Sequence, residues 1–313
     1  MLKYILFILP FLIAAPVQAE RFDHSQWDRL VQSHVKMSPD RSSSVADYAQ
    51  FKAVDAQLQS YLTKLSAVKQ AEFDSWPKND QLAFLINAYN AWTVKLIADA
   101  HPNLASILEL GNVTTSPWQR RFIPLLGAQR SLDDIEHKMI RGSGRYNDPR
   151  IHFAVNCASI GCPALMDRAF TAQQLDSQME AATKAFLSDR TRNYVDDKGA
   201  HVSSIFDWYG GDFKTGWRGA DSVGGFLALY SGSLGVTEAR RTALANGEMD
   251  ISFLEYDWRL NDVTVPNGAK SAASMSPIWI ARAFPVPTAI AGLLLLLLLY
   301  GGYRLIRRRS KAA

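Results

Sequence analysis

Apolar residues recur at three- and four-residue spacing over 45–65, at Val54, Leu58, Tyr61, Leu62 and Leu65, which predicts a helix with one buried face. The next helix is predicted over 81–98, with Asp80 placed to cap it. Leu82, Phe84, Leu85, Ile86, Tyr89, Trp92, Val94, Leu96 and Ile97 leave it almost no polar face, so it should run through the core. Asn87 and Asn90, three apart, share a side of that helix. A buried amide left unbonded costs on the order of 1–3 kcal/mol, so both need partners. Either they tie neighbouring loops to the helix, or one orients a catalytic group or lines a pocket.

Ser131-Leu-Asp-Asp134 reads as a helix start that turns Ile135, Met139 and Ile140 inward. His137 follows Asp133 by four residues, a spacing that allows an ion pair or a solvated histidine. Asp148-Pro-Arg150 reads as a turn, and 151–156 as a strand. Alternation would set His152, Ala154 and Asn156 opposite Phe153, Val155 and Cys157. On that geometry His152 faces away from Cys157, and His137 is the nearest alternative in sequence. Further on, 177–187 reads as an amphipathic helix and 202–213 as a short helix ending at Gly210-Gly211. The segment 251–258 reads as a late strand with Glu255 and Asp257 on one face. The expected fold class is α+β: a helix-rich single domain with a small sheet over 20–262, plus one C-terminal transmembrane helix.

The two ends suggest where that domain resides. Residues 1–19 have the layout of a signal peptide: Lys3, an apolar run over 4–15, and Val17-Gln18-Ala19 as the cleavage pattern. A small-residue-rich linker is expected over 263–283. Residues 284–304 contain the leucine run 293–299 and are long enough for the membrane's hydrocarbon core of about 30 Å. Arg307, Arg308, Arg309 and Lys311 in the tail, 305–313, should stay cytoplasmic under the positive-inside rule. The expected location is the cell membrane, single-pass, with the domain on the periplasmic or extracytoplasmic side and the lipid bilayer as partner. Pro285-Val-Pro, the leucine run and the terminal arginines also resemble the tripartite sorting tails of some bacterial surface proteins, though without Pro-Glu-Pro. The sequence pI near 9.0 owes much to the terminal basic cluster, so nucleic acid is not an expected partner. A protein or peptide partner is left unidentified.

Both cysteines lie in Ile151-His-Phe-Ala-Val-Asn-Cys-Ala-Ser-Ile-Gly-Cys-Pro163. Outside the cytosol cysteines tend to pair, and four intervening residues with a turn bring two Cα atoms within reach of a disulfide. A Cys157 nucleophile, a metal site through Cys157, Cys162 and a histidine, and a redox pair are the alternatives. The spacing lacks the paired short-interval signature of structural zinc, and no metal or cofactor is expected. No phosphate loop, dinucleotide glycine pattern, zinc-protease helix or nucleophile-elbow serine occurs.

Gln81-Leu-Ala-Phe-Leu-Ile-Asn-Ala-Tyr-Asn-Ala-Trp92, Ser131-Leu-Asp-Asp-Ile-Glu-His137, Asp148 through Pro163, and Tyr256-Asp-Trp258 occur in that order. Together they resemble domain-of-unknown-function family 547 over about 23–261, in the manner of a bacterial exported member with an added anchor. The resemblance implies motif positions for Asn87, Asn90, His137, His152, Asn156 and Cys157, but no settled activity. In plant relatives the domain follows a coiled coil in proteins thought to act through interaction; no comparable heptad region occurs here. A papain- or transglutaminase-like core is an analogy, and fold does not give function. Two expectations follow. One is an extracytoplasmic binding module with a Cys157–Cys162 staple. The other is a thiol-dependent hydrolase or transferase acting on peptide or amide bonds. There Cys157 is the nucleophile, His137 the base (or His152, if the strand ends early), and Asn87 or Asn156 an orienting or oxyanion group.

Overall fold

The chain is described by a computed structural model over residues 20–264. The expected signal peptide, transmembrane helix and basic tail, and all but the start of the linker, lie outside the described residues. Helix α1 (Ser25–His34) buries Trp27, Leu30 and Val31. It runs into the hairpin of β1 (Val35–Met37) and β2 (Ser44–Ala46). The predicted 45–65 helix therefore starts later than its apolar spacing suggests, because Val45 pairs with Lys36 in the hairpin. Asp47 then caps α2 (Tyr48–Ala53) by accepting the Gln50 N–H at 3.0 Å. A bend at Val54 separates α2 from α3 (Asp55–Ala67), whose Leu58, Tyr61, Leu62 and Leu65 are fully buried, the inward face the sequence predicts.

After α4 (Gln70–Asp74), α5 (Lys78–Ala100) passes through the centre of the larger of two cores. It begins two residues before Asp80, directly after Pro77, and has no side-chain cap. Asp80 instead sits in the first turn, where an acid suits the helix dipole, and accepts the Arg21 N–H at 2.9 Å. Asn87 makes a two-way bond with the Phe170 backbone, at 2.7 and 3.0 Å. Asn90 donates to the Ala154 carbonyl and accepts the Asn156 N–H, both at 2.9 Å. Each amide thus fastens a distant loop to α5.

The hairpin of β3 (Ile123–Leu125) and β4 (Ala128–Arg130) leads to the capping motif, where Ser131 and Asp134 bond each other's backbone N–H at 3.0 Å. The helix that follows, Asp134–Ile140, is wound as a π-helix, a form often found at functional sites. Ile135 and Ile140 are buried, and Met139 packs against the core.

The predicted strand over 151–156 does not form. Pro149–Phe153 is a 3₁₀ turn opened by Asp148, which accepts the Arg150 N–H at 3.0 Å. Alternation needs a wet side, and none exists here because residues 151–156 are all buried. The segment is the seam between the two cores: Ile151, Ala154 and Val155 pack into the first and Phe153 into the second.

That second core gathers around α6 (Leu175–Ser188) and a three-stranded sheet in the order β5 (Tyr194–Asp196), β6 (Gly199–Ser203), β7 (Ile251–Leu254). The β5–β6 pair is antiparallel and the β6–β7 pair parallel. Between β6 and β7 run α7 (Ile205–Trp208), α8 (Val223–Leu229), α9 (Ser231–Leu234) and α10 (Glu238–Ala245). Val202 therefore belongs to a strand, and only 205–208 of the predicted 202–213 helix is α-helical before the glycine pair. The last strand stops at Leu254, short of Glu255 and Asp257. Beyond it, the Asp257 and Arg259 carbonyls accept N–H groups from Gly161 and Ile160, at 2.9 and 2.8 Å, instead of extending the sheet. The fold is α+β, helix-rich and a single domain, with three small sheets in place of one among the described residues. Among the described residues no helix is long and apolar enough to cross a membrane.

His24 gives this fold an acid-sensitive point. It is buried against Tyr61, whose hydroxyl lies 2.8 Å from Nδ1, and burial pulls its pKa down to about 3. The folded chain keeps it neutral while the unfolded chain protonates it below about pH 6.5, so its contribution is present above that pH and lost on acidification. Between about pH 6.5 and 4.5 the expected loss is roughly 2–3 kcal/mol. His24→Gln should flatten the stability profile by that amount over the window. The difference between wild type and variant in urea titrations is the readout, because other groups titrate in both. Parallel profiles would show that His24 does not titrate on unfolding.

Candidate functional site

Cys157 and Cys162 form a disulfide with their Cα atoms 6.2 Å apart. Asn156 organises the loop they close. Its amide donates to the Pro163 carbonyl at 2.7 Å, and its Oδ1 accepts the Ala158 N–H at 2.8 Å. Ala158 sits at φ +64°, a left-handed conformation that a residue with a Cβ rarely adopts without such local bonds. Arg192 bonds the carbonyls of Ile160 and Cys162 from one side. Tyr256 closes the other, its hydroxyl 3.2 Å from Cys157 Sγ and 3.1 Å from Cys162 Sγ. A Cβ on Gly161 would meet the Tyr256 ring at 2.9 Å, so only glycine allows this approach.

The disulfide forms part of one wall of a small cleft with an interior of about 50 Å³. Six tyrosine and tryptophan rings also line it: Tyr89 from α5, Trp118, Trp208 from α7, Tyr209, and Tyr256 with Trp258 from the segment after β7. Trp208 and Trp258 stack at 5.7 Å, and Tyr256 lies 4.8 and 4.5 Å from them. The π-helix brings His137 and Glu136 to the same cleft, joined by Asp133 just before it, and the 3₁₀ turn brings His152. The wide helix and the tight turn thus set their polar side chains among these rings.

Electrostatics differ across the cleft. His152 is buried, with Nε2 2.8 Å from Asp212 Oδ2 and its ring stacked on Tyr209 at 4.0 Å. Burial lowers its pKa, and Asp212 acts against that fall. Burial alone would raise the Asp212 carboxyl, but hydrogen bonds from His152 and Arg141 hold it well below its usual range. Arg141 grips Asp212 at 2.6 and 3.1 Å and donates to His137 Nδ1 at 2.9 Å. Arginine can only donate, so His137 accepts at Nδ1 and carries any neutral-form proton on Nε2, 3.6 Å from Asp133. Burial pushes Asp133 up to about 6, with His137 opposing the rise. Burial, reinforced by the Glu136 charge, raises Tyr89 and Tyr209 well above the ordinary phenol range, so both keep their protons.

Of the sequence candidates, Cys157, Cys162, His137 and His152 share this cleft. Asn87 and Asn156 do not line it, and their amides are taken up by backbone groups. Neither histidine is hydrogen-bonded to a sulfur; both sulfurs contact the Tyr256 hydroxyl instead. Sequence reasoning missed the ring wall, Arg141, Asp212 and the part played by Glu136. Tyr256 and Trp258 stood in a quoted motif, but Asp212 carried no local signal. No group of three or more His, Cys, Asp or Glu side chains placed to hold a metal occurs among the described residues.

No curated protein and no solved structure matches the chain. Residues 73–187, which span α5, the π-helix, the disulfide loop and nearly all of α6, match the family model described as "Protein of unknown function, DUF547", and this match supports the family read from the motifs.

Proposed function

We propose that the chain is a membrane-anchored extracytoplasmic binding module whose ligand enters the aromatic cleft beside the Cys157–Cys162 staple. The carrying observation is that the disulfide is built into the cleft wall, with both sulfurs in contact with the Tyr256 hydroxyl. A bonded pair offers no nucleophile, whereas an apolar pocket with a few convergent polar groups is the usual form of a small-ligand site. The signal pattern, the leucine run and the basic tail support the extracytoplasmic, anchored placement. Mass spectrometry of the membrane-bound protein should recover the tail. Its loss would favour processing near Pro285.

The second reading is the thiol enzyme, and the His152–Asp212 pair favours it. That pair holds one imidazole nitrogen on a carboxylate, as in a base oriented by an acid. With the disulfide reduced, Cys157 would share the cleft with this base, and His152 would replace His137, whose Nδ1 is already engaged by Arg141.

Thiol accounting separates the two. The oxidised full-length chain, denatured and treated with a thiol-blocking reagent, should gain mass only after reduction. Reduction should also lower stability by about 2 kcal/mol, the chain-entropy value for so short a loop. Two blocked thiols without reductant would remove the staple and promote the enzyme reading.

A further inference from the structure

We propose that the cleft receives a compact organic cation, a primary or quaternary ammonium group, held between its rings and its acids; this rests on the binding reading above. Trp118, Trp208, Tyr256 and Trp258 converge on one cavity, with neighbouring centroids 4.5–5.8 Å apart. Indole and phenol faces carry the negative quadrupole that attracts an ammonium, most strongly where water is displaced.

The charges in the same cavity point the same way. Asp133 and Glu136 both line it, with side chains only 22 % and 7 % exposed. The nearby cations are committed elsewhere: Arg121 and Lys138 bond Asp134, and Arg141 bonds Asp212 and His137. His137 lies 3.6 Å from Asp133 and 3.9 Å from Glu136, and Arg141 and His152 feel the Glu136 charge from farther off. Tyr89 and Tyr209, both raised by burial and by the Glu136 charge beside them, line the same cleft. An anionic ligand would meet two carboxylates in a poorly hydrated space. A neutral apolar ligand would strip their water and return no counter-charge. A small cation supplies that charge while its alkyl or methylene surface packs on the rings. The cleft's interior of about 50 Å³ suits one small headgroup better than an extended polymer.

The test uses the oxidised full-length chain in a neutral maltoside detergent at fixed ionic strength. Choline is titrated against its uncharged carbon isostere, 3,3-dimethylbutan-1-ol, and tryptophan emission is followed, three of the chain's eight tryptophans lining the cleft. Choline should bind saturably and at least about tenfold more tightly than the isostere, a margin of about 1.4 kcal/mol. Asp133→Asn should erase most of that preference, and Trp258→Ala should weaken choline. The wild-type comparison decides the matter even if a variant fails to fold. Equal binding of both probes would overturn the cation inference yet leave a binding cleft in place. Saturation by neither probe would overturn the ammonium assignment, while the binding reading itself would still stand or fall on the thiol accounting.

Discussion

Arg150→Ala should destabilise the domain by about 3–5 kcal/mol, the range for removing one partner from a buried ion-pair network. Arg150 is only 2 % exposed. Its guanidinium meets Asp148 at 2.7 Å, Glu180 at 3.0 Å and Asp176 at 2.6 Å, and it lies over the Trp217 ring at 4.9 Å. Asp176 is 76 % exposed and should contribute little, since solvent screens it. The cost arises at Asp148 and Glu180, which lose a shared counter-charge in a partly dry setting. Glu180 keeps Arg218 and the Tyr230 hydroxyl, each at 3.0 Å, so the lower half of the range is the better expectation. Arg150→Lys should recover little, because a point charge cannot span carboxylates that a planar fork holds together. Urea denaturation followed by tryptophan emission reads this directly. A loss below about 1 kcal/mol would mean the bridges behave as solvated surface pairs. Because His152 lies two residues along the same turn, the variant should also loosen its bond to Asp212.

Asn156→Ala should cost about 2–4 kcal/mol, since it strands the Ala158 N–H and the Pro163 carbonyl in a buried loop at roughly 1–3 kcal/mol each. The left-handed Ala158 would lose the side-chain bond that supports it, and the disulfide should become more readily reducible. Asn156→Asp keeps the acceptor for Ala158 but turns a buried carboxylate oxygen on the Pro163 carbonyl, so it should recover little of the loss. This variant also distinguishes scaffold from chemistry. An oxyanion or orienting group would leave stability and reduction rate near wild type and abolish only a reaction. Denaturant midpoints and the kinetics of disulfide reduction are the two measurements.

The candidate residues were legible in the sequence to different depths, for physical reasons. Asn87 and Asn90 stood out as amides on a largely apolar helix whose burial demands partners, and of the two alternatives this left open they make the loop attachments. The Ser131–Asp134 box depends on contacts within four residues, and it forms as read. The strand over 151–156 misled because alternation assumes one dry and one wet side, while this segment has core on both. Reading it as a strand set His152 opposite Cys157. The 3₁₀ turn instead brings His152 to the cleft that the disulfide lines.

What the sequence determined alone is therefore local or compositional: the buried helix faces, the central apolar helix, the short cysteine spacing that permits a staple, and the helix-rich α+β class. These depend on periodicities of a few residues and on the requirement that polar groups find partners. Only the tertiary structure decided which side chains share a cleft. Asp212 reaches His152 across 60 residues, and Tyr256 reaches Cys157 across 99, distances over which no local pattern carries information. Those contacts follow from how the two cores dock along the 151–155 seam, and docking is fixed by the packing of the whole chain.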